Sequence, residues 1–112
     1  MIKIEAYIRN NRLDSVMDAL DELDVSGYTV IDIRGRGRSK GITHTYRGSQ
    51  YTVNLNPRLK IEVLVEDIQA EEVAAEIMKA AQTGEVGDGK IVLVPVKDVI
   101  RIRTGERGSV AL

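Results

Sequence analysis

Ile2, Ile4, Ala6 and Ile8 alternate with Lys3, Glu5, Tyr7 and Arg9, a period of two that places the two sets on opposite faces of a strand. From Leu13 the spacing changes. Leu13, Val16, Met17, Leu20 and Leu23 fall on one stripe of an amphipathic helix, and Gly27 beyond them marks its stop. Tyr28 to Arg34 (YTVIDIR) returns to β-branched strand character. Between about Gly35 and Pro57 neither period survives, and Gly, Ser, Thr, Asn and charged residues dominate. A gap longer than about 15 residues in a small domain is generally functional or disordered. Beyond it Leu59 to Val65 (LKIEVLV) alternates again, and Asp67 is placed to cap a second helix with Ile68, Val73, Ile77 and Ala81 inward. Ile91 to Val96 (IVLVPV) predicts a fourth strand. Pro95 within it, having no N–H to donate, calls for a sheet edge.

The order βαββαβ predicts an α+β, ferredoxin-like fold: a four-stranded antiparallel sheet with both helices on one face. Its second face then lacks a cover, yet Leu64 beside Val63 and Val94 beside Leu93 put apolar residues on both sides, so a homo-oligomer is expected. The 112 residues suit one domain, 1–112. With 43% apolar residues but no Phe or Trp, the core must be aliphatic. Sixteen basic against 17 acidic side chains argue against attraction to nucleic acid or anionic membranes through net charge, so any anion site is local. The absence of Cys and the single His remove disulfides and the usual structural zinc sites. A charged start (Met1 to Glu5) and the lack of a long apolar run predict a soluble, cytoplasmic chain without membrane insertion.

Gly84-Glu85-Val86-Gly87-Asp88-Gly89-Lys90 has the spacing G-x-x-x-x-G-K of a phosphate-binding loop. Ile91 stands where a Ser or Thr would meet magnesium, and the segment runs from helix into strand, so no following helix dipole is available. What remains is either a plain Gly-rich connection or a nest of backbone N–H groups beside the Lys90 ammonium. Arg101 and Arg103, two apart, project to one side of an extended chain. They are either a solvated edge or, if the chain returns beside the Gly-rich turn, part of a site for a di- or triphosphate. Arg34, Arg36, Arg38 and Lys40 form a basic row threaded by Gly35, Gly37 and Gly41, readable as a second wall of that site or as a charged strand edge. His44 lacks the scaffold of a hydrolytic triad, and Glu62 suits ion pairing better than general-base work. Lys60 to Val65 carries no aromatic residue on which RNA bases would stack.

Three ordered segments resemble the PII family of nitrogen signal-transduction proteins: Tyr46 to Tyr51 (YRGSQY), Thr83 to Ile91 (TGEVGDGKI) and Arg101 to Glu106 (RIRTGE). The resemblance covers essentially the whole chain. It implies a homotrimer with ATP or ADP in clefts between subunits, and a mobile T-loop at about 36–56. Thr29, Glu62 and Leu64 would lie near adenine and ribose. Gly35, Gly37, Arg38, Gly87, Asp88, Gly89, Lys90, Arg101 and Arg103 would hold phosphates. It also implies a 2-oxoglutarate region at Ser39, Lys40, Gly41 and Arg58, with magnesium accompanying ATP. Ser39 replaces a common Gln that helps coordinate that magnesium, and Arg58 replaces a common Lys, which leaves 2-oxoglutarate binding open. Arg47 matches a loop-tip arginine that enters ammonium transporters in some members, while Tyr51 and Ser49 match residues modified in others.

The function expected on these grounds is non-enzymatic regulation of nitrogen-metabolism partners, such as an ammonium transporter, with adenine nucleotide as effector. The competing expectation is an ATP-hydrolysing or phosphoryl-transfer enzyme using the Gly-rich segment. It lacks a recognisable base and the hydroxyl ligand for magnesium.

Overall fold

The computed structural model describes residues 1–37 and 55–112 in full and the backbone alone of 43–46 and 49–52. β1 (Ile2–Ile8) leads through a short 3-10 turn into α1 (Leu13–Asp21), and β2 (Thr29–Gly35) follows. A hairpin of β3 (Thr43–Tyr46) and β4 (Ser49–Thr52) precedes β5 (Asn56–Val65), α2 (Asp67–Ala81) and β6 (Lys90–Pro95). β2, β5, β1 and β6 form one four-stranded sheet in that spatial order, antiparallel at each pairing. This is the ferredoxin-like α+β arrangement. β6 is an edge strand and Pro95 is its last residue, as its missing donor requires.

The alternation in β1 and β5 sets the core. Ile4, Ala6, Ile8, Leu59, Ile61, Val63 and Val65 are buried, and they pack with Val16 and Leu20 of α1 and Val73, Ile77 and Ala81 of α2. The other face of the same strands carries Lys3, Glu5, Tyr7, Lys60, Glu62 and Leu64, none fully buried. Register puts Ile31 opposite Lys60, Ile33 opposite Arg58 and Val92 opposite Glu5, so the face that the helices leave open mixes charge with aliphatic surface.

Three expectations need correction. Ile68 is 92% exposed instead of facing inward. The buried stripe runs through Ala70, Val73, Ile77 and Ala81, and a five-residue step from 68 to 73 turns the helix well away from it. Asp67 is the first helical residue, not the cap. The cap is Glu66, whose side chain accepts from the third helical N–H while Gln69 Oε1 accepts from Glu66 N at 3.2 Å. The span between β2 and β5 contains paired strands, in register Thr43↔Thr52 to Tyr46↔Ser49. Thr and Tyr favour strands but leave no apolar alternation to reveal them.

Candidate functional site

The connection from α2 to β6 is organised by one carboxylate. Asp88 Oδ2 accepts from the backbone N–H groups of Thr83 (2.8 Å) and Gly84 (2.9 Å), and Asp88 Oδ1 accepts from the Thr83 hydroxyl and from Arg9 Nε (3.0 Å). Arg9 Nη2 also donates to the Val86 carbonyl at 2.8 Å. The Thr83 hydroxyl first, then its N–H, holds the Asp88 carboxyl well below the usual carboxylate range. A side chain expected to face a ligand is thus engaged in shaping the loop. Gly89 has φ +103°, and a Cβ there would sit 1.8 Å from the Tyr7 carbonyl oxygen. Only glycine lets this loop close against β1, and that closure carries Lys90 to the position opposite Tyr7.

On the far side of the sheet end, Gly35 closes β2 opposite Asn56, the first residue of β5. Between this end and the Gly-rich loop lies a cleft of about 680 Å³, lined by Gly35, Arg36, Gly37 and Arg58 on one side and Gly87, Asp88, Gly89 and Lys90 on the other. Tyr7 and Arg34 also line it. Among the described residues four cationic side chains therefore line it, against two acidic ones, Asp88, which is paired with Arg9, and Glu85. Such a cleft attracts an anion with several charges.

A second, smaller cleft of about 360 Å³ lies along the same open face, lined by Lys3, Ser26, Gly27, Tyr28, Thr29, Glu62 and Leu64. Between the two runs an ion-pair cluster. Lys60 Nζ lies 3.3 Å from Glu5 and 3.2 Å from Glu62, Lys3 Nζ lies 3.7 and 3.8 Å from the same carboxylates, and the Lys60 ammonium stands 5.9 Å from the centre of the Tyr7 ring. Hydrogen bonding from Lys60 is the main cause that lowers the Glu62 pKa, and the same bond raises that of Lys60.

The residues singled out in the sequence thus divide. Thr29, Glu62 and Leu64 meet in the smaller cleft, and Gly35, Gly37, Arg58, Gly87, Asp88, Gly89 and Lys90 meet in the larger. Arg101 and Arg103 line neither within one protomer. Their segment is a turn, not the extended chain expected: Gly105 N donates to Arg101 O at 2.8 Å, and Arg101 N to Glu106 O at 2.9 Å. The Arg101 guanidinium donates to Glu106 Oε1 (2.9 Å) and to the Val110 carbonyl (2.7 Å), so Glu106 supplies the neutralising charge the spacing did not reveal. Arg38, Ser39, Lys40, Gly41 and Arg47 lie outside the described residues. Ser49 and Tyr51 belong to β4, paired with Tyr46 and His44. Arg9, Tyr7 and Lys60 were not legible as site residues, because each acts through a partner remote in sequence.

Among the described residues no group of three or more His, Cys, Asp or Glu is placed to hold a metal ion. Magnesium arriving with a nucleotide would be held chiefly by phosphate oxygens and water.

A family model described as "Nitrogen regulatory protein P-II" matches residues 1–106. The chain is 49% identical to the nitrogen regulatory protein P-II of Azospirillum brasilense and 51% identical to that of Microchaete diplosiphon, in each case over 112 residues and the full length of both chains. Its structure is similar to that of Arabidopsis thaliana PII bound to citrate, with a TM-score of 0.80, 40% identity, and coverage of 99% of this chain and 91% of that one. The chain belongs to the P-II family of nitrogen regulatory proteins. It is a signal-transduction protein of that family, built on the ferredoxin-like fold, and among the described residues no helix is long and apolar enough to cross a membrane.

Proposed function

We propose that the chain is a cytoplasmic, non-enzymatic sensor of adenine nucleotide: a single unit, 1–112, that assembles as a homotrimer and regulates nitrogen-metabolism partners, an ammonium transporter among them. The observation that carries this reading is the cleft in which Gly87 to Lys90 face Gly35 and Gly37 with cations in excess. In the assembly, the Thr29–Glu62–Leu64 cleft of one copy takes adenine and ribose while the glycine-lined cleft of the next takes phosphates. The open sheet face supports this, because residues of both clefts lie on it. Arg101 and Arg103 join the phosphates from across the subunit boundary, and Arg38 adds to them.

Signalling follows from where the anion sits. Gly35 and Asn56 are cross-strand neighbours at the two roots of the 36–56 loop, and both line the cleft with Arg58. A ligand there touches both roots at once, so ATP and ADP favour different loop arrangements to the extent that they contact the roots differently. Partners read that loop, with Arg47 at its tip. The Arabidopsis relative is bound to citrate, and by analogy a carboxylate such as 2-oxoglutarate is the candidate second effector, its expected region that of Ser39, Lys40, Gly41 and Arg58; Tyr51 and Ser49 are the candidate positions for modification.

Calorimetry with ATP, ADP and 2-oxoglutarate, with and without magnesium, tests the reading. Micromolar nucleotide binding without substantial turnover is expected, and Lys90→Ala should weaken ATP about tenfold or more while the melting curve is kept. Turnover near about 1 s⁻¹ or faster would favour the phosphoryl-transfer enzyme. An unchanged ATP affinity in Lys90→Ala would show that phosphates bind elsewhere.

A further inference from the structure

The near-balance of charge in the chain conceals a segregation. Residues 33–61 hold seven of the 16 basic side chains and none of the 17 acidic ones, which leaves nine basic against 17 acidic for everything else. Of the seven, Lys60 is committed to Glu5 and Glu62. Arg34, Arg36 and Arg58 stand at the end of the sheet where β2 stops and β5 starts, and Lys90 joins them across the cleft. None of these four is ion-paired among the described residues. Arg58 Nη1 donates to the Pro57 carbonyl at 2.8 Å, and Glu85 is the acid that opposes the group.

The fold sends exposed acids to the other end. α1 finishes beside the start of β2, with Asp21, Glu22 and Asp24, and α2 begins where β5 finishes, with Asp67, Glu71 and Glu72. Gln69 Nε2 donates to the Asp24 carbonyl at 2.8 Å and so holds these two regions together. The seven residues of β2 separate this acidic end from the cationic one, a span of roughly 20 Å. That is about twice the screening length of ~8–10 Å at physiological salt. A negatively charged plane in contact with the cationic end therefore attracts it strongly, while the acidic end is largely screened from the same plane. A net charge near zero does not oppose such docking, and the charge asymmetry orients it.

We propose that the end of the molecule formed by Arg34, Arg36, Arg58 and Lys90 is a docking surface for an anionic lipid bilayer, on which the protein rests peripherally with its acidic end turned away. The proposal stands apart from the nucleotide reading. The exposed large apolar side chains at this end are aliphatic: Leu55, 43% exposed, precedes β5, and Val86, 66% exposed, lines the cleft. A headgroup layer takes cations at the level of its phosphates and aliphatic side chains just beneath. A nucleic acid would instead call for aromatic side chains against its bases or a helix in its groove.

The test is co-sedimentation of the nucleotide-free full chain with vesicles of phosphatidylcholine alone and of phosphatidylcholine and phosphatidylglycerol in equal parts, at about 50 mM and about 500 mM salt. Association with the anionic vesicles only, lost at the higher salt, is expected. Arg34→Ala should weaken it about fivefold and the triple variant Arg34→Ala/Arg36→Ala/Arg58→Ala about a hundredfold, with melting temperature and oligomeric mass checked for each. Glu85→Gln should strengthen it. Lys97→Ala, which removes an exposed cation beyond β6, should change it less than about twofold. Equal loss in Lys97→Ala and Arg34→Ala, or equal association with both kinds of vesicle, would overturn the proposal. Release by inorganic phosphate at matched ionic strength would mean a discrete anion site instead of a surface. Binding to a DNA duplex or to polyglutamate without binding to anionic vesicles would give the cationic end to another partner, and either result overturns the proposal as well.

Discussion

Asp88 illustrates how a residue's pattern and its work can differ. In sequence it sits amid glycines beside a lysine, and the resemblance makes it a phosphate-site residue; in the fold its oxygens take hydrogen bonds from Thr83, Gly84 and Arg9. The glycine spacing was legible because backbone conformation is local. The Arg9 partnership was not, since it joins positions 79 residues apart. Because the folded-state pKa of Asp88 lies below its unfolded value near about 3.9, its bonds stabilise the fold fully above that value, and the contribution is lost as pH falls through the folded one. Asp88→Asn should therefore lower the melting temperature at pH 7 and flatten its decline in acid, because the amide cannot satisfy N–H donors on both sides and no longer titrates. Parallel acid titration curves for the two proteins would show that the carboxylate does not anchor the loop.

At the scale of elements, periodicity located all four strands of the main sheet and both helices, because each buries one face and a buried face leaves a regular trace. It failed where burial does not decide. The β3–β4 hairpin has no apolar alternation, and the start of α2 depends on side-chain hydrogen bonds instead of hydrophobic spacing. Glu66 and Gln69 cap that helix reciprocally, and Gln69 Nε2 also donates to the Asp24 carbonyl at 2.8 Å, tying α2 to the connection after α1. Asp67 Oδ1, the expected cap, instead accepts from the Met1 amine at 2.7 Å. Glu66→Ala should cost about 1 kcal/mol in urea denaturation, and Gln69→Ala at least as much, since it removes the cap partner and the tie together. An effect within about 0.3 kcal/mol for both would mean that packing alone fixes the helix start.

For the whole molecule the open sheet face is decisive, and its centre is charged. Glu5 and Glu62 are cross-strand neighbours, a like-charge pairing that destabilises a sheet unless cations intervene, and Lys60 bridges both at 3.3 and 3.2 Å. The apolar residues around it predicted a covering subunit, but alternation alone did not disclose that the charges would meet. In the unmodified protein the lowered Glu62 pKa means that its pairing stabilises above the unfolded value and is lost as pH falls through the folded one. The raised Lys60 pKa means that its share persists below the unfolded value and disappears as pH rises through the folded one. Lys60→Met reverses the first sign. Lys3 remains at 3.7 and 3.8 Å, one cation for two carboxylates, so one of them is pushed above its ordinary value and repulsion is felt most where both ionise. The variant should therefore melt well below the unmodified protein at pH 7 and approach it as pH falls toward about 4, where a shared proton relieves the pair. Light scattering across the same range should show the proposed homotrimer weakened at pH 7 and recovering in acid, because the repelling carboxylates sit on the open sheet face that subunits of that assembly would cover. A stability gap that stayed constant from pH 7 to 4 would locate the effect of Lys60 in its contact with the Tyr7 ring and not in its charge.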